Sequence, residues 1–257
     1  MFKLSRPLGS LFQSSFTKTT GVLGTAIVLT VASPLESADS PWIQMKSAHF
    51  EVISNASEGS TRSVTWQLEQ IRAVISALWP WARVDLAQPL SVIAVKDENS
   101  MQALAPAFWE RKTDVRPASV SVGGANRPYL AIRADLRGDD RALLNPYITA
   151  YQSYATLVIQ ASMAHPFPLW LSRGLSGVIS NTIVRENAIS IGPAIPWHLQ
   201  RLRGGSRLPL SDVLAVTYSS AELSDGERLN RFDAQSWALV HFLMFGNEGS
   251  AALSSIS

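Results

Sequence analysis

Residues 147–181 read YITAYQSYATLVIQASMAHPFPLWLSRGLSGVISN, and the break in the middle of this stretch decides the fold. Asn145-Pro146 just upstream opens a helix, because a proline in the first turn has no N–H that the helix would use. This helix is expected to last to about Met163. His165-Pro166-Phe167-Pro168 ends it, since two prolines remove hydrogen-bond donors and clash with the preceding turn. A second helix is expected over about 169–181.

Upstream, the pattern is mostly strand-like. Residues 48–54 (AHFEVIS) are rich in β-formers. Ser60 or Thr61 is placed to cap a helix running to about Trp79, with Val64, Leu68, Ile71, Ile75 and Leu78 along one face. LSVIAV, at 90–95, is continuously apolar, as an inner strand requires. Segments 119–122 and 129–134 form a hairpin around Gly123-Gly124-Ala125-Asn126. Downstream, a small hairpin over 183–191 turns at Glu186-Asn187, and a last helix over 231–245 is closed by Gly246. Strands first and helices after predict a single α+β domain over 39–257, a small mixed sheet followed by a helical half.

Composition narrows the function classes. The chain has 257 residues, 46% of them apolar, which is ample for a core. Only 16% are charged, so long charged tails are excluded. The absence of cysteine rules out disulfides, thiol nucleophiles and cysteine-ligated metals. Lys3, Arg6 and Lys18 against Glu36 account for the whole net charge of +2. The body is therefore neutral and offers no electrostatic footprint for nucleic acid.

The N-terminus reads as an export signal. Between Lys18 and Glu36 lie 17 uncharged residues centred on GVLGTAIVLTVA at 21–32, followed by Pro34, Ser37 and Ala38. This basic, apolar, small-residue order is that of a secretory leader. If uncleaved, segment 1–38 would be an N-terminal membrane anchor, although its apolar run falls short of the ~20 residues of a comfortable span. Either way the body is expected outside the cytoplasm, in a periplasm or the extracellular medium, with membrane contact only through this segment.

The helix pair carries a family resemblance. Pro168, Leu169, Trp170, Leu171, Gly174 and Leu175 keep the frame of P-x-W-L-x-E-G-L-A-E, the second-helix pattern of the peptidase-MA-like group of gluzincin metallopeptidases. These are exported proteins often classed as a domain of unknown function. His49-Phe50-Glu51-Val52 and the stretch from Ala234 to His241 (AQSWALVH) also resemble the family. The likeness runs over most of 42–246 and is loose between Asp97 and Gly138. It implies a zincin-like fold with two adjacent active-site helices, a zinc ion and peptide hydrolysis. Family members often continue into C-terminal helical repeats, so an end at Ser257 reads as a truncated copy.

Zinc hydrolysis needs particular groups at particular spacings. Two histidines at i and i+4 share one helix face and reach one ion, and a glutamate beside the first acts as general base. A glutamate from the next helix is the third ligand, and an acid one turn later orients a histidine. The matched frame puts the histidine positions at Gln152 and Thr156 and the base at Ser153. It puts the third ligand at Arg173 and the orienting acid at Gly177. Gln and Thr are weak neutral donors, and a serine hydroxyl does not take a proton from water near neutral pH. Arg173 cannot deprotonate to become a ligand. At about 4 Å and an effective dielectric near 20, its charge repels each unit of metal charge by ~4 kcal/mol.

No other set of residues rebuilds the site. The four histidines, His49, His165, His198 and His241, share no i, i+3 or i+4 spacing. Gly174-Leu175-Ser176-Gly177 lies inside a helix and lacks the strand-to-helix G-x-S-x-G elbow. The glycines at 123–124 and 204–205 are turn glycines, with no phosphate-loop frame. Trp66, Trp79, Trp170 and Trp237 belong on apolar helix faces, whereas Trp81 and Trp197 sit near breaks and are open to a ligand groove. The expectation is an exported, catalytically inactive domain, a pseudoenzyme without catalytic residues, metal or cofactor. It would hold a peptide or protein partner or serve as a scaffold, with Arg173 turned towards the helix of Gln152 and Thr156. The contrasting expectation is an active hydrolase with a relocated metal, through His165, or a serine-based site drawn from Ser153, Ser162, Ser172 and Ser176.

Overall fold

The computed structural model describes residues 3–4, 17–18, 41–86, 90–110, 116–123, 128–137, 144–185, 188–205 and 207–246. In chain order the elements are β1 (Lys3–Leu4), β2 (Thr17–Lys18), β3 (Ile43–Lys46), β4 (Phe50–Ser54), α1 (Glu58–Leu78), β5 (Leu90–Val95), α2 (Glu98–Leu104), β6 (Ser119–Gly123) and β7 (Pro128–Arg133). They continue with α3 (Ile148–Ser162), α4 (Leu169–Ser180), β8 (Ile183–Arg185), β9 (Ala188–Ser190), α5 (Pro196–Gly204), α6 (Leu210–Ala215) and α7 (Gly226–Phe245). The chain is a mixed α+β protein. It divides into a sheet unit, Gln13–Glu69 with Ala87–Asp135, and a helical unit, Met1–Phe12, Gln70–Leu86 and Leu136–Ser257, the division falling inside α1.

In the sheet unit the strands run in the order β2-β3-β4-β5-β7-β6. The inner strands β4, β5 and β7 are parallel, with Val52 opposite Val92 and Val92 opposite Leu130. Their apolar runs explain that placement, because an inner parallel strand is covered on both faces. β3 and β6 flank them antiparallel, and β6–β7 is the expected hairpin, its turn lying outside the described residues. Among the elements not expected are β3 and α2. IQMK at β3 has one β-branched residue and is half exposed, so pairing with β4 rather than propensity makes it a strand. α2 starts at Asp97, whose carboxylate accepts from Ser100 N at 2.8 Å, and it drives Met101 between Val95, Val120 and Ala131.

α1 begins earlier than its serine-threonine signal suggests. The cap is Ser57, whose Oγ accepts from Ser60 N at 3.2 Å. Val64, Leu68, Ile71 and Ile75 are buried as their spacing requires. Trp66 is not a core residue: it falls on the outer face of α1 and is 38% exposed.

In the helical unit α4 packs against both α3 and α7, while α5 and α6 pack against α7. α3 starts at Ile148, because Asn145 spends its groups on anchoring the turn before it. Its Oδ1 accepts from Tyr147 N and its Nδ2 donates to the Thr182 carbonyl, both at 2.8 Å. Its main-chain N donates to Asn181 Oδ1 at 2.8 Å. Two asparagines thus clamp the start of α3 to the end of α4. α7 begins at the Asp225 cap, five residues before the apolar periodicity becomes visible, with Asp225 Oδ1 accepting from Glu227 N at 2.7 Å. Trp79 and Trp237 are buried, Trp170 is partly covered, and Trp81 and Trp197 are exposed. Segment 1–38 lies outside the described residues except at β1 and β2, and Glu186-Asn187 also lies outside them. Among the described residues no helix is long and apolar enough to cross a membrane.

α4 meets α7 at a glycine. A Cβ on Gly174 would stand 2.5 Å from the Ser236 carbonyl oxygen and inside the contact radius of Val240 Cγ2. At Gly177 it would meet only the Trp237 ring, at an ordinary 3.5 Å. Gly174→Ala is therefore expected to cost about 3 kcal/mol or more in urea unfolding, because backbone must move. Gly177→Ala, gaining up to ~1 kcal/mol of helix propensity, is expected to be neutral or stabilising.

Candidate functional site

The positions projected onto the zinc site fall on α3 and α4. Gln152 and Thr156 lie one turn apart on α3, and Thr156 Oγ1 donates to the Gln152 carbonyl at 2.8 Å. That hydroxyl is spent on its own helix. Ser153 is partly exposed on the same helix. On α4, Arg173 Nη1 donates to Asp233 Oδ2 on α7 at 3.2 Å. Gly177 also faces α7, through the Trp237 ring. The structure therefore brings Gln152 and Thr156 together, but it turns positions 173 and 177 to a different helix. The hydrogen bond of Arg173 goes to α7 and not to α3 as expected: α7 supplies a largely buried carboxylate, whereas Gln152 and Thr156 are neutral.

The Arg173–Asp233 pair is unevenly solvated. Asp233 is largely buried, its Oδ1 has no hydrogen-bond partner, and about a third of the Arg173 side chain reaches solvent. Burial pushes the Asp233 carboxyl above its ordinary value, and the Arg173 guanidinium opposes that shift only in part. Near it on α7, Ser236 Oγ and Trp237 Nε1 are likewise buried without partners. Nothing in residue spacing singles out Asp233. The available signal is that Asp233, Ser236, Trp237 and Val240 repeat at three and four residues, which marks the α7 face that meets α4.

The histidines are each placed differently. His49 in the sheet unit directs Nδ1 to Glu69 Oε2 at 2.8 Å, and its main-chain N donates to Oε1 of the same buried carboxylate at 3.2 Å. His165 is exposed in the loop between α3 and α4. His198 and His241 lie against the Trp237 ring, with centroids 5.5 and 5.2 Å away, and His241 Nε2 donates to the Gly192 carbonyl at 2.9 Å. Burial, with the Arg201 guanidinium nearby, brings His198 down from an ordinary 6.5 to about 4, so its ring is neutral. Among the described residues no three of His, Asp and Glu gather as a metal-binding group. The residues at 152, 153, 156, 173 and 177 do not fit a zinc ion, since they offer neutral oxygens, a cation and a hydrogen atom.

Of the four candidate serines, Ser162 and Ser176 engage their hydroxyls with main chain. Ser176 Oγ donates to the Arg173 carbonyl at 3.1 Å, and Ser162 Oγ donates to the Val158 carbonyl at 2.6 Å while accepting from Arg83 N. No protein-family model and no curated protein matches this chain. The fold and these positions define a mixed α+β protein whose helices α4 and α7 are joined by a part-buried ion pair.

Two titrations are expected to pull stability in opposite directions. His198 takes a proton near 6.5 when unfolded but near 4 when folded, so stability falls as pH drops through that window. Asp233, raised in the fold, loses its proton later than the unfolded carboxyl does, so it subtracts stability as pH rises above 3.8. Urea unfolding from pH 4 to 7 should show the acid loss reduced in His198→Gln and the opposing slope reduced in Asp233→Asn. An imidazole signal titrating near 4, absent in His198→Gln, checks the first shift directly by NMR.

Proposed function

We propose that this is an exported, catalytically inactive relative of the peptidase-MA-like metallopeptidases, with a zincin-like fold, which binds a peptide or protein partner without cleaving it. The observation that carries the reading is the side chain at position 173. A glutamate there would be a zinc ligand, whereas Arg173 is a permanent cation bonded to Asp233 of α7. The adjacency of α3 and α4 and the retained residues Pro168, Trp170, Gly174 and Leu175 support descent from a helix-pair site. The substitutions at Gln152, Ser153 and Thr156 support loss of its ion and its base. Export is supported by the basic and apolar pattern of 1–38.

Metal analysis and a casein assay test this reading. Purified protein incubated with zinc chloride and then gel-filtered is expected to carry well under one zinc per chain. It should release no casein peptides above buffer, with or without a chelator. One zinc per chain that disappears in His165→Ala would overturn the proposal. So would casein hydrolysis abolished by a chelator, or by a fluorophosphonate that labels the chain.

A further inference from the structure

We propose that the outer flank of α5 is a docking groove for a peptide segment in which acidic residues stand beside aliphatic ones. The inference rests on the reading of the chain as a non-catalytic peptide binder, and it moves the binding site away from α3 and α4. The groove holds about 570 Å³ and is lined by Ala194, Pro196, Leu199, Gln200, Arg203 and Gly204. Residues 196, 199, 200, 203 and 204 form one stripe of a helix, by their three- and four-residue spacing.

The other flank of α5 is what attaches it to the unit. His198 lies against Trp237, and Arg201 pairs with Glu227 on α7. α5 itself contains no buried residue. Leu199 is half-buried, and Ala194 and Pro196 stand exposed beside it, so the outer stripe carries apolar surface that packing on α7 leaves uncovered. Cations near a helix C-terminus favour the helix dipole, which accounts for basic residues in the last turn of α5 but not for the apolar stripe beside them.

Charge selects the occupant. Residues 188–211 contain Arg201, Arg203 and Arg207 and no acidic residue, within a body that is neutral overall. Arg201 is neutralised by Glu227, and Arg207 Nε donates to the Leu202 carbonyl at 3.2 Å. Arg203 is exposed at the groove and pairs with no carboxylate among the described residues. A guanidinium presents a fork of donors that a carboxylate fills with two bonds. Pro196, Leu199 and Ala194 take the carbons of a neighbouring aliphatic side chain, and the Gln200 amide can bond the peptide main chain. A wholly aliphatic segment would leave the guanidinium unused, and a phosphate chain would leave the apolar floor unused.

The test uses the full chain and a fluorescein-labelled hexapeptide of alternating leucine and glutamate, followed by anisotropy. Saturable binding is expected, weakened about tenfold or more by Arg203→Glu and by Leu199→Asp, and reduced at high salt. A leucine–lysine peptide of the same length should not bind. Both substituted residues lie on an outer flank, and unchanged circular dichroism would exclude misfolding. Undiminished binding in Arg203→Glu, with loss in Gln152→Lys on α3, would overturn the groove while leaving peptide binding intact. No binding of either peptide would overturn the groove, and chelator-sensitive cleavage of the probe would overturn the non-catalytic reading as well. Preferential sedimentation with phosphatidylglycerol vesicles over peptide binding would also overturn it, by making an anionic surface the partner.

Discussion

The approach of α4 to α7 at Gly174 is the constraint on which the helical unit depends. Because no Cβ intervenes, the Gly174 backbone comes against the Ser236 carbonyl and the Val240 side chain. The contact fixes its neighbours: Trp237 covers Gly177, and Arg173 is brought against Asp233. So close an approach leaves little room for further partners, and the cost is visible on α7. Asp233 Oδ1, Ser236 Oγ and Trp237 Nε1 are buried without partners, each at a general cost of about 1–3 kcal/mol. Close dispersion contact along the seam has to offset that loss. α3 joins the same assembly by packing on α4 directly, and the Asn145–Asn181 clamp holds its start.

This geometry changes the meaning of Arg173. Read from the motif, it is a cation in the seat of a metal ligand. Read from the packing, it is the counter-charge of a buried carboxylate. A glutamate at 173 would set a second negative charge beside Asp233, and one of the two would have to hold its proton or move apart. The substitution at 173 and the carboxylate at 233 are therefore best understood together, as a single polar contact between α4 and α7. The other buried polar residues of α4 follow a different rule. Ser176 and Ser180 satisfy themselves on the preceding turn, through the carbonyls of Arg173 and Gly177 at 3.1 and 2.7 Å.

Local signals and tertiary ones divide along physical lines. The break at His165-Pro166-Phe167-Pro168 and the face of Val64, Leu68, Ile71 and Ile75 were legible, because proline sterics and helical periodicity act within a few residues. The inner strand at 90–95 was legible for the same reason. β3 was not, since its pairing with β4 outweighs a weak β-propensity. Nor were α5 and α6, whose nine and six residues are too few for helical periodicity to stand out. The outward position of Trp66 was legible in the same spacing, because it stands opposite the stripe of Val64, Leu68, Ile71 and Ile75; only its residue type pointed to the core. Of the site, the identities at 152, 153, 156, 173 and 177 could be read directly. Their directions could not, because the partner of Arg173 lies 60 residues away on a helix whose facing side only packing defines.

α5 is the element whose composition folding explains least. Its attachment consists of an imidazole against an indole and an ion pair with Glu227. Neither contact requires Trp197 to stand exposed, or Pro196 and Leu199 to line an open groove. An apolar side chain left in water gives up on the order of 1.5–3 kcal/mol that burial would have supplied. Scattered singly, such residues are ordinary. Pro196 and Leu199, on one helical stripe beside a guanidinium that meets no carboxylate among the described residues, form a surface whose chemistry is defined. The helix-pair positions offer neutral oxygens and a cation already paired with Asp233, whereas α5 still has a charge to offer in Arg203.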